Sequence, residues 1–127
     1  MITQKNELLV VSKAKELCSY IVVVTGKAPK QFRFTFVTRL QNLALSVIED
    51  IYHANDIFLQ KGDTKHAEQR LDLQHRAITS IKLIAFMSEI FMKEKCIMFK
   101  QYEQIAKLTT DCQNLIGAWI NSDRKRV

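Results

Sequence analysis

The stretch from Ile81 to Met92, Ile-Lys-Leu-Ile-Ala-Phe-Met-Ser-Glu-Ile-Phe-Met, constrains the fold more than any other. It contains no Gly or Pro and runs too long for an ordinary strand, so the spacing predicts a helix. At about 100° per residue, Ile81, Ile84, Ala85, Ser88 and Met92 collect on one face. Leu83, Phe86, Met87 and Ile90 fall on the other. A helix that is apolar nearly all round must be buried nearly all round. One bundle core in a chain of 127 residues buries only a stripe of each helix. The excess therefore predicts a second buried surface, a contact between subunits.

Little turn chemistry interrupts the chain. It holds one Pro and three Gly, which favours a few long elements over many short ones. Hydrophobic residues make up 47% and charged residues 25%, a balance that suits one globular domain with a single core. The first residues lack the basic start, apolar run and small-residue cleavage site of a secretory signal. No stretch reaches the roughly 20 apolar residues that cross a bilayer, so no membrane partner is expected. Cys18, Cys96 and Cys112 are widely spaced with no Cys-x-x-Cys pair. They are expected to be reduced core or interface residues.

The net charge of +6 is unevenly spread. Residues 1–48 carry seven Lys or Arg and two acids, residues 49–72 three and six, and residues 73–127 nine and five. Basic ends around an acidic middle suggest a partner of negative charge, nucleic acid being the commonest. The acidic middle, with Glu49, Asp50, Asp56 and Asp63, would repel phosphate, so such a partner must approach elsewhere.

Four helices follow from the pattern. The first is expected over Thr3–Thr25, with Val10, Ala14, Leu17, Ile21 and Val24 as its core stripe. Tyr20–Val24 is rich in β-branched residues, yet a solitary strand in a helical chain would lack a partner. Gly26 stops this helix and Pro29 begins the next. Phe32-Arg33-Phe34-Thr35-Phe36 alternates like a strand but runs directly into a helical stripe of Phe36, Leu40, Leu43, Val47, Ile51, Ala54 and Phe58. One helix of about 30 residues from Lys30, about 45 Å long, is therefore predicted. Phe34, Ile48, Tyr52 and Leu59 form an apolar flank on it. Lys61-Gly62-Asp63-Thr64 reads as a stop and restart, with Gly62 left-handed and Asp63 or Thr64 as the next cap. The third helix is expected to reach about Lys95, with Arg70, Gln74, Ala77, Ile81, Ala85, Ser88 and Met92 on one face. After a break near Cys96–Phe99, the fourth carries Tyr102, Ile105, Leu108, Cys112, Leu115 and Trp119 and ends near Asn121–Ser122. The apolar run Ile97-Met98-Phe99 predicts a partly buried last connection. Four helices of similar length joined by short turns pack best as an all-α, antiparallel up-down-up-down bundle. The expected boundaries are a bundle over residues 1–122 and a short basic tail over residues 123–127.

Two Asp-x-x-His pairs, Asp50 with His53 and Asp72 with His75, have the spacing of di-iron bundle ligands. However, His53 lies about 140° and His75 about 120° from the centre of its helix's core stripe, so neither projects inward. The first and fourth helices also lack a carboxylate on their stripes. No catalytic triad, Cys-His pair, phosphate loop or zinc spacing is present. No metal, cofactor or catalytic residue is expected, and the chain reads as a binding protein rather than an enzyme. What remains is basic residues. Alternating connections bring Lys27, Lys30 and Arg33 at the first turn to the same end as Lys93, Lys95 and Lys100, with Arg39 two turns on. Arg124, Lys125 and Arg126 lie at the other end. These are the candidate phosphate contacts, the arginines offering fork-shaped donors. The alternative is a solvated basic rim that only keeps the protein soluble. The candidate subunit interface is Phe34, Ile48 and Tyr52 together with Leu83, Phe86, Met87 and Ile90.

Pro29-Lys30 followed by Arg33-Phe34-Thr35 and Arg39-Leu40 resembles the second-helix opening of a small four-helix-bundle family. Lys100-Gln101-Tyr102-Glu103 resembles the start of that family's last helix, and Leu115-Ile116-Gly117-Ala118-Trp119-Ile120 its closing Gly-x-Trp signature. The family includes proteins encoded in bacterial 23S rRNA intervening sequences and the accessory variability determinant (Avd) of diversity-generating retroelements. The resemblance implies a homopentameric barrel of four-helix bundles with a basic surface. The basic balance and basic tail favour the Avd branch. That branch implies a non-catalytic, cytoplasmic partner of the retroelement reverse transcriptase in a bacterial or phage-infected cell. There it binds RNA and DNA during mutagenic cDNA synthesis and retrohoming. The other branch implies an oligomeric scaffold that makes protein contacts only.

Overall fold

The computed structural model describes the backbone of residues 2–126 and the side chains of residues 9–126. These residues form a four-helix bundle with no strand: α1 (Ile2–Thr25), α2 (Thr38–Asp56), α3 (Thr64–Lys93) and α4 (Phe99–Arg126). α2 packs chiefly on α3 and α1 chiefly on α4, and the α1–α2 and α3–α4 contacts close the set. No described helix is long and apolar enough to cross a membrane.

The core follows the helical periodicity. Val10, Ala14, Leu17, Ile21 and Val24 of α1 are buried, as are Leu40, Ala44, Val47, Ile51 and Ala54 of α2. From α4 come Ile105, Leu108, Cys112, Ile116 and Trp119. The β-branched end of α1 keeps the helical repeat, with Ile21 and Val24 in this core and Val22 and Val23 exposed. Thr25 closes that end: its hydroxyl donates to the Ile21 carbonyl at 2.6 Å and accepts from Gln41 Nε2 at 2.9 Å, tying α1 to α2. Burial pushes the Cys112 thiol up to about 12 and also raises those of Cys18 and Cys96.

The segment predicted as one long second helix departs from α geometry at both ends. It opens with a 3-10 turn at Lys30–Phe32 and a π-helical turn at Arg33–Val37 before α2 proper. Phe32 stacks on Phe36 with ring centroids 5.2 Å apart, and Phe36 on Phe91 of α3 at 4.3 Å. This three-ring stack sets the beginning of the α2 segment against the end of α3. The helix stops at Asp56, where Ile57 turns extended. Phe58, placed by periodicity on the core stripe, is 73% exposed, and Leu59 is buried in its stead. The reversal of direction after Ile57 swaps which of the two adjacent side chains meets the core.

α3 is capped as expected: Asp63 accepts from the His66 amide at 3.1 Å, and its carboxylate also contacts the His66 ring. Those two hydrogen bonds hold the Asp63 carboxyl below its ordinary value. Gly62 has φ +86°, the left-handed conformation expected of it. At the far end Lys95 takes φ +63°, and the Cys96 amide donates to the Phe91 carbonyl at 2.8 Å. That is a Schellman turn with lysine at the position usually held by glycine. The last connection is partly buried, with Ile97 inside and Met98 and Phe99 out.

Candidate nucleic-acid interface

The α1–α2 turn is basic because its sequence is one-sided. No acid occurs between Glu16 and Glu49, while Lys27, Lys30, Arg33 and Arg39 all do. All four side chains are exposed. None is paired with a carboxylate among the described residues. The Phe36–Phe91 stack brings this turn to the end of α3, where Lys93 and Lys95 follow within a turn of Phe91. The Cys96 and Ile97 amides both donate to the Phe91 carbonyl, which folds the connection to Lys100 back onto the same end. Lys93, Lys95 and Lys100 are exposed. Lys93 is the one of this group with a carboxylate nearby, Glu89 at 3.7 Å, and Glu94 adds a second exposed acid.

Arg124, Lys125 and Arg126 lie elsewhere. Arg70 and Phe91 are 21 positions apart on α3, hence about 30 Å at 1.5 Å per residue. Asp123 is paired with Arg70, so the last basic residues lie at the opposite end from the ring stack. They are not a separate tail. Residues 123–126 complete the last turn of α4, because Asp123 is buried and its partner lies across the bundle. Arg126 Nη1 comes within 3.8 Å of the same carboxylate.

That partner set is the one cluster the periodicity placed without explaining. Arg70 Nε and Nη2 donate to the two Asp123 oxygens at 2.7 and 3.0 Å, and Gln74 Nε2 donates to Oδ2 at 2.9 Å. Arg70 Nη1 donates to the Ile57 carbonyl at 3.1 Å, and the guanidinium lies over the Trp119 ring at 5.1 Å. The usable signal was Arg70 and Gln74 on a core stripe: buried polar groups need partners. The acid that answers them, Asp123, lies beyond the Asn121–Ser122 end that the local pattern predicts for the fourth helix.

The Asp-x-x-His histidines are both exposed. Among the described residues no three His, Cys, Asp or Glu side chains converge on a point where a metal ion could sit. Asp50 is nearly buried in a cleft of about 430 Å³ between α2 and α3, lined by Ser46, His75, Arg76 and Thr79 among others. Desolvation raises its carboxyl pKa, and the Arg76 guanidinium at 4.0 Å offsets part of the rise.

The apolar excess of the Ile81–Met92 stretch stays on the surface of the single chain. Ile81, Ile84, Ser88 and Phe91 are buried, whereas Phe86 is 61% exposed and Leu83 and Ile90 about a third. Met87 and Ile48 are half-buried, and Phe34 and Tyr52 are exposed. Tyr52 faces α1, with Lys15 Nζ 5.9 Å from its ring centroid.

Fold and surface together define a helical-bundle protein with two uncovered features, a cationic end and an apolar stripe on α3. No protein-family model matches the chain, and no curated protein matches it.

Proposed function

We propose that this protein is a non-catalytic nucleic-acid-binding accessory factor that works beside a reverse transcriptase in the cytoplasm, as its resemblance to the Avd branch implies. In this reading the four helices run antiparallel, up-down-up-down. Copies associate through the α3 stripe into the homopentameric barrel that the resemblance implies. The mechanism is electrostatic. Lysines and arginines neutralise phosphates, and several weak sites on one assembly add through multivalency. The observation that carries the reading is the acid-free run between Glu16 and Glu49, whose four exposed cations have no carboxylate partner among the described residues.

Charge reversal tests it directly. Arg33→Glu with Arg39→Glu is expected to weaken RNA binding at low salt at least tenfold while the mass of the assembly stays the same. Affinity unchanged in that titration sinks the reading. A second reading, a protein-only scaffold of the intervening-sequence type, is favoured by the exposed Phe86, Leu83 and Ile90. Salt separates the two. Phosphate contacts weaken steeply between about 50 and 200 mM salt, whereas apolar protein contacts do not.

A further inference from the structure

Phe34 is the most exposed large apolar side chain among the described residues, with 87% of its surface open. It is presented by a braced turn. The ring stack of Phe32, Phe36 and Phe91 holds the turn from behind, and the Thr38 hydroxyl donates to the Arg33 carbonyl at 2.7 Å. Phe34 sits about half a helical turn from Phe36, so it projects away from the side that meets Phe91. This sets it apart from the α3 stripe with which the sequence grouped it.

Its surroundings are cationic. Lys30 and Arg33 flank it, exposed, in a stretch free of acids. A second open ring, Phe99 at 57% exposure, stands at the same end beside Lys100. An intact duplex must be unstacked at a step before it can take such a ring, and its outer phosphates ask only for charge. Unpaired bases use both parts: cations track the phosphates while a ring face takes a base.

We infer that the basic end binds single-stranded nucleic acid, with Phe34 stacking on an unpaired base between phosphates held by Lys30 and Arg33. The inference rests on the nucleic-acid reading above and narrows it to a class of ligand.

The test compares a labelled oligothymidylate of about 15 nucleotides with a duplex of the same length by fluorescence anisotropy. Phe34→Ala is expected to weaken the single strand about tenfold, within the roughly 5- to 150-fold range that loss of one stacked base produces. Duplex affinity stays the same, Phe34→Trp restores single-strand binding, and a strand carrying 5-iodouracil photocrosslinks at residue 34. Equal loss on both ligands, or no loss on the single strand, overturns the stacking role. If Arg33→Glu still weakens binding in that case, the nucleic-acid reading survives without it. A change in assembly mass for Phe34→Ala overturns the inference in favour of a subunit contact. A wild-type protein that binds neither ligand removes both the inference and the reading beneath it.

Discussion

Arg70 holds three segments together with one side chain. Its guanidinium pairs with Asp123 of α4, caps the carbonyl of Ile57 after α2, and covers the Trp119 ring. Removing one member leaves the other charge buried and unpaired, which costs more than the pair itself contributes. Arg70→Ala is therefore expected to lose about 3–5 kcal/mol in a denaturant titration. Arg70→Met with Asp123→Leu, which removes both charges and keeps the volume, is expected to recover part of that, because Gln74 and the Ile57 carbonyl lose their partners. Similar losses in the single and double variants would show that packing rather than charge pairing dominates the site. Lys95 is a smaller case of the same kind, a side chain accepted in left-handed backbone because the turn it completes buries Cys96 and Ile97.

At the scale of the element, α3 carries two kinds of information along one helix. Its first half buries Arg70 and Gln74 and so depends on α4 for partners. Its second half offers apolar side chains to the core on one side and to solvent on the other. An exposed residue is a poor target for stability but a good one for association. Phe86→Glu is expected to leave the monomer's unfolding free energy within about 0.5 kcal/mol, since substitutions on open surface rarely do more. Sedimentation velocity is expected to show a smaller assembly. An unchanged sedimentation coefficient would remove the α3 stripe from any subunit contact. The segment before α2 shows how an element can mislead. Its Phe-x-Phe-x-Phe alternation has the period of a strand, but Phe32 and Phe36, four residues apart on a helical path, share one face and stack inward.

For the whole molecule, the decisive quantity is where charge and apolar surface lie relative to each other. The acidic stretch between residues 49 and 72 starts in the middle of α2, and the unpaired cations gather beside the ring stack. A polyanion is therefore expected to approach the ring-stack end rather than the opposite half, where the α2–α3 connection gathers these acids. Light scattering at low salt is expected to give a multimer that gains mass with a structured RNA and loses that mass on adding salt. A multimer indifferent to RNA would favour the protein scaffold, and a monomer would remove the assembly altogether.

Periodicity was enough for what depends on local spacing. It set the number of helices, the stripes of α1 and α2, the left-handed Gly62 with a cap at Asp63 or Thr64, and the outward direction of His53 and His75. A helix buries whatever recurs at its own repeat, and neighbours in sequence are enough to read that. It did not reach the end of α2 at Asp56, the exposure of Phe58 or the helical continuation through Asp123. Each of these is decided by a contact between residues far apart in the chain. Arg70 captures a carbonyl beyond α2 and a carboxylate on α4, and no local pattern of 3.6 residues registers a partner 53 positions away. The candidate site divides the same way. Its cations were legible as an acid-free run, and alternating connections already put Arg124–Arg126 at the other end, whereas the separation of Phe34 from the α3 stripe required the helices to be packed.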